Sequence, residues 1–154
     1  MANIRAITSA LAALSVTYTN EATASITPTA YDINAVPPSV PAANLPVRLL
    51  GTTRGNSDAT FMPLTAGVGD GVVEHSVSEL CLIEAVGLSR MQDEWCDTMR
   101  YVDALLVVLQ ANRTIYTRSE IKSANASRGV YEWPNNSGEL FYGCQTLITI
   151  SEYQ

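Results

Sequence analysis

Residues 89–112, SRMQDEWCDTMRYVDALLVVLQAN, decide how this chain is read. Ser89 and Gln92 have the spacing of a capping box, in which two side chains satisfy the free amides at a helix start. Asp93, Glu94 and Asp97 follow, setting negative charge against the positive end of the helix dipole. Met91, Trp95, Met99, Val102, Leu106 and Leu109 then recur at steps of three and four, which predicts one apolar stripe on a long helix over about 89–111. The segments on both sides are rich in β-branched residues. A long helix between strand-like segments predicts a helix laid on a sheet.

Working outward, residues 3–15 predict a short amphipathic helix with Ile4, Ile7, Leu11 and Leu14 inward and a small-residue outer face of Ala6, Ser9, Ala10 and Ala13. From Val16 to Ile33 the chain favours extended structure with breaks. The run Val36-Pro37-Pro38-Ser39-Val40-Pro41, with Pro46 behind it, predicts a stiff connector, because proline removes a donor and restricts the residue before it. Leu45 to Leu50 reads as a strand. Residues 51–71 read as one extended loop with Phe61, Met62 and Leu64 as its apolar anchors. Loops of about twenty residues are usually functional or disordered.

Val72 to Val86 alternates and then becomes continuously apolar, as a strand does on entering a buried region. Residues 114–127 are polar and ambiguous between a loop and a short helix. Gly129 to Trp133 and Gly138 to Ile150 read as strands joined by a turn at 134–137. In the last strand Tyr142, Cys144, Thr146, Ile148 and Ile150 share one face. The expectation is a single α+β domain over residues 1–154. Its mixed, mostly antiparallel sheet is packed by the helices at about 3–15 and 89–111 and carries long loops.

Composition narrows the function. The net charge is −6, Lys122 is the only lysine and the arginines are scattered. Tight nucleic-acid binding needs clustered cations that displace counterions from phosphates, and no cluster is present. Cys81, Cys96 and Cys144 are widely spaced and read as reduced, mostly buried thiols. No run approaches the roughly 18 apolar residues of a membrane span. The N-terminal residues lack the solid apolar block of a signal peptide, which predicts a soluble protein made in the cytoplasm.

Catalytic patterns are weak. His75 is the only histidine and sits among alternating strand residues, so it reads as a surface or partly buried strand position. One histidine and three distant cysteines offer no close-spaced metal-ligand pair. Gly67-Val68-Gly69-Asp70-Gly71 lacks the Lys-Ser/Thr of a phosphate loop and precedes a strand, so a hinge is the better reading. Asp93, Glu94 and Asp97 are explained by the helix dipole. No catalytic, metal or cofactor residue is assigned, and the chain is not read as an enzyme.

The order of elements resembles the tail-terminator and head–tail joining (neck) proteins of long-tailed bacteriophages. The likeness rests on the N-terminal helix, Tyr31-Asp32 beside the proline run, and Leu45-Pro46-Val47-Arg48-Leu49-Leu50 as first strand. A loop, a strand and the long helix follow, and Gly138-Glu139-Leu140-Phe141-Tyr142-Gly143 leads into the last strand. The resemblance implies a virion structural protein without enzymatic activity. It would form a homohexameric ring that ends the tail tube and joins it to the head. Its partners would be copies of itself, the tail tube protein and head-completion or connector proteins, with DNA passing through the channel without specific binding. The predicted subunit-interface residues are Phe61, Met62 and Leu64, with Arg48, Arg54 and Arg118 as salt-bridge partners for a neighbour. The alternative is a small soluble ligand- or peptide-binding module without catalysis, with Trp95, Trp133 and Tyr142 lining its pocket.

Overall fold

The computed structural model describes residues 4–32, 44–54, 59–61, 66–69, 71–87, 91–132 and 138–153, and only the backbone of 52–54, 59–61, 66–69 and 91–94. The chain begins with α1 (Ile4–Ala13), then the short strands β1 (Tyr18–Thr19), β2 (Ser25–Ile26) and β3 (Thr29–Tyr31). Next come β4 (Val47–Leu50), β5 (Thr52–Arg54), β6 (Ala59–Phe61), β7 (Ala66–Gly69) and the long β8 (Val72–Ala85). Then α2 (Met91–Ala111) leads to β9 (Thr114–Tyr116), β10 (Ser119–Glu132) and β11 (Leu140–Tyr153). The fold is α+β, as the helix-between-strands pattern predicts.

The main sheet runs β3-β4-β8-β11-β10-β9, with β7 also paired to β8. Its pairings are antiparallel except β3 with β4. The three long strands β8, β11 and β10 form its centre. Cross-strand partners share a face, so the register sorts the core. Val77, Cys81, Cys144, Ile148 and Ile150 face the helices and meet Ile7, Leu11, Tyr101, Leu105 and Leu109. On the opposite face Val47, Leu49, Leu80, Leu82 and Phe141 form a second, smaller cluster.

Several expectations hold. Ile7 and Leu11 are buried and Ile4 and Leu14 half-buried, so α1 seats the predicted stripe. β8 and β11 follow the predicted alternation, with Cys144, Thr146, Ile148 and Ile150 buried and Tyr142 half-buried on one face. The three thiols are free, with Cys81 and Cys144 buried and paired in register. The turn at 134–137 and the proline run lie outside the described residues.

Three expectations are corrected. The 51–71 segment is not one loop: β5 pairs with β6, and β7 pairs with β8 so that Gly67 and Gly69 belong to a strand and not to a hinge. Backbone pairing needs no apolar side chain, so Gly- and Thr-rich strands leave no hydrophobic alternation to read. Residues 114–116 and 119–127 are strands joined by a turn, not a loop or helix, because β11 offers a pairing edge to β10 and β10 in turn to β9. Third, α2 is rotated. Its buried side is Asp97, Thr98, Tyr101, Leu105 and Leu109, roughly a quarter turn from the predicted stripe, of which Leu109 is buried and Val102 packs against the core. Met99 and Leu106 of that stripe are 55% and 38% exposed.

Candidate assembly surface

The rotation of α2 follows from what lies beneath it. Arg48 on β4 and Glu79 on β8 both face the helices and are each 1% exposed. Arg48 Nη2 and Nε donate to the Glu79 carboxylate at 2.8 and 3.2 Å. Arg48 Nη1 also donates to the Leu14 carbonyl at 2.5 Å, placing positive charge at the C-terminal end of α1. The Tyr101 hydroxyl donates to Glu79 Oε1. A buried ion pair is tolerable only when its remaining lone pairs and protons are satisfied, and Tyr101 supplies that contact. α2 therefore turns Tyr101 inward, helped by the edge-on ring of Tyr18 at 6.0 Å. Burial pulls the Arg48 guanidinium down, yet the Glu79 charge and hydrogen bonds outweigh it and hold Arg48 above its ordinary value. The Tyr101 phenol is pushed up by burial and by the Glu79 charge. The Cys81 thiol is pushed up by burial and by Cys144.

With Tyr101 inward, a second apolar stripe of α2 is left outside. Met99 and Val102 look across a groove of about 260 Å³ at Ala126 and Arg128 of β10, with Thr98 and Asp103 completing its walls. Leu106 continues the stripe one turn on, and Val107 beside it is 66% exposed. At one end the Arg128 guanidinium lies over the Trp95 ring, 4.7 Å from its centre, and donates to the Met99 sulfur at 3.6 Å. Trp95 in turn meets Tyr142, ring centres 6.2 Å apart. Cation–π contact and sulfur together hold Arg128 in place.

Strand β10 forms the other wall, and its outer edge is open. β9 pairs only with Ser119 and Glu120, and the Ile121 amide donates to the Arg113 carbonyl. From Lys122 to Glu132 no described strand lies on that side. Lys122, Ser123, Asn125, Ala126, Ser127 and Arg128 are all exposed. The groove is thus bounded by an apolar helix stripe and a strand edge that no described strand covers from Lys122 to Val130.

The predicted interface residues fare differently. Arg48 is removed from the candidate interface: its guanidinium is committed inside its own chain, and burial leaves none of it for a neighbour. Arg118 is exposed at the β9–β10 turn in a left-handed conformation, φ 59°, and its carbonyl accepts from Tyr153. Arg54 ends β5 and Phe61 ends β6, with only their backbones described, and Met62 and Leu64 lie outside the described residues. Of these six only Arg48 and Arg118 have described side chains, the one buried and the other exposed. Of the aromatic residues assigned to a ligand pocket, Trp95 and Tyr142 meet, and Trp133 lies outside the described residues. Sequence reasoning named Met99, Val102 and Leu106 as one inward stripe, whereas Met99 and Leu106 are exposed and Val102 is half-buried between groove and core. It missed Ala126 and Arg128, whose only signal was a charge-poor run of small residues in a segment read as ambiguous.

His75 is buried more deeply than its alternating neighbours suggested, at 2% exposed, with Nε2 2.9 Å from a Glu152 carboxylate oxygen. Among the described residues no helix is long and apolar enough to cross a membrane. Compared with known proteins, the chain matches no family model, no curated protein sequence and no solved structure.

Proposed function

We propose that this chain is a structural subunit of a bacteriophage neck or tail, built to assemble with copies of itself into a ring that ends the tail tube and joins it to the head. The observation that carries an assembly role is the exposed apolar stripe of α2 beside the open edge of β10, since apolar patches that face water commonly mark protein-binding surfaces. The order of elements that resembles tail-terminator and head–tail joining proteins supplies the finer assignment. An acidic chain with net charge −6 suits a channel through which DNA slides, because each phosphate contact would slow it. The virion is then its location and the tail tube protein its principal partner.

Negative-stain electron microscopy tests this reading, on the purified protein alone and mixed with tail tubes. Closed rings, or caps at one end of the tubes, are expected. Particles that neither close into rings nor cap a tube would overturn the assignment and leave the small ligand- or peptide-binding module.

A further inference from the structure

The open edge of β10 has a definite requirement. An exposed, unprotected strand edge pairs readily with another chain, and proteins usually blunt it with proline, charge or a bulge. β10 has a bulge between Ile121 and Ser123 at one end, but Ser123 to Ser127 are small, uncharged and free of proline. Arg128, the charge nearest the middle, is drawn over Trp95 and not out across the edge.

The geometry points to a second copy of this chain as the occupant: two β10 strands pair antiparallel about a two-fold axis near Ala126, joining two sheets into one. Length is the first argument. At the opposite border of the sheet lie β3, three residues long, and β7, four residues long, too short to cover the edge from Lys122 to Val130. The β10 edge of another copy matches it. Charge is the second. The chain carries 15 acidic residues, yet none falls on the strand between Ile121 and Tyr131, and the one acidic residue of the adjoining groove, Asp103, shares it with Arg128.

Register is the third. An axis at Lys122 or Arg128 would oppose two like charges directly, which is destabilising. An axis at Ala126 sets Ser123 against Gly129, Ala124 against Arg128 and Asn125 against Ser127 of the second copy, with no like charges opposed from Lys122 to Val130. Glu120 and Glu132, next in this register, lie beyond that stretch, where Glu120 is already paired to β9. Ala124, Ala126 and Arg128 share the helix side of the sheet, their β11 partners being Ile148, Thr146 and Cys144. A two-fold axis across that face brings the two α2 stripes, Met99 and Leu106 of each copy, toward one another over the joined strands. Backbone pairing and apolar contact are then satisfied by one contact.

Such a contact is isologous and closes at two copies, whereas a ring needs a heterologous one. The dimer therefore describes the free protein and does not rest on the ring reading. Sedimentation of the full chain across the micromolar range tests it, with hydrogen exchange read at the amides of residues 123–129. A particle of twice the 16.6 kDa chain mass is expected, with those amides exchanging more slowly as concentration rises. Ala126→Lys, at an exposed position, should weaken the dimer about tenfold or more while leaving the circular dichroism of the monomer unchanged. A wild-type chain that stays monomeric, or exchange at 123–129 that is independent of concentration, overturns the inference. So does an Ala126→Lys variant that dimerises as tightly as wild type. A dimer that neither forms rings nor caps a tail tube would leave the inference standing and overturn only the proposed function.

Discussion

Arg48 binds three elements to each other: β4, which carries it, β8 through Glu79, and the end of α1 through the Leu11 and Leu14 carbonyls. Removing one member of a buried ion pair leaves the other charge without compensation. Arg48→Met is expected to lower stability by about 3–5 kcal/mol. The double variant Arg48→Met/Glu79→Leu removes both charges and should recover most of that loss, short of the bonds to α1 and from Tyr101. Denaturant midpoints measure both, and a double variant no more stable than the single would show that the ion pair is not the source of the cost. The same cluster sets an alkaline limit. Tyr101 and Cys81 have raised values in the folded chain, so the folded state holds their protons more tightly than the unfolded state does. Their contribution is whole below the ordinary values of 9.0 for the thiol and 10.0 for the phenol. It is lost as pH climbs past those values toward the folded ones. Stability measured against pH should fall through that range in the wild type and fall less steeply in Tyr101→Phe.

At the scale of elements, the register of the central strands depends on one glycine. Gly143 sits where β11 shifts against β8, between Tyr142 and Gly143, and a Cβ there would run into the carbonyl oxygen of Cys81. Both atoms belong to central strands that cannot separate without breaking the ladder. Gly143→Ala is therefore expected to cost about 1–3 kcal/mol or more, read as a lowered melting temperature, with a wild-type value refuting the close approach. α2 gives the complementary lesson. Its sequence carries two apolar stripes, Met99–Val102–Leu106 and Tyr101–Leu105, with Leu109 at the end of both, and helical periodicity cannot say which one enters the core. The choice was made by Glu79, which needs the Tyr101 hydroxyl and lies outside the helix altogether.

For the whole molecule, residues 72–86 and 138–150 were legible as strands because one or both of their faces are buried and the apolar pattern records it. The helices at 4–13 and 91–111 were legible through their spacing, the second also through its acidic first turn, and those elements were enough to imply α+β. What the sequence could not show is where unpatterned segments go. β5, β6, β7 and the first part of β10, up to Arg128, are held by backbone hydrogen bonds to neighbours and keep mostly small or polar side chains, so their identity exists only once β8 and β11 are in place; the end of β10 from Gly129 was legible as a strand. The interface prediction failed at Arg48 for a related reason: an arginine's exposure depends on whether a remote carboxylate meets it. Local propensity and periodicity are properties of the chain, and these determined the helices, the central strands and the fold class. The rotation of α2, the burial of Arg48 and the open edge of β10 depend on contacts between residues far apart in sequence, and only tertiary packing decided them.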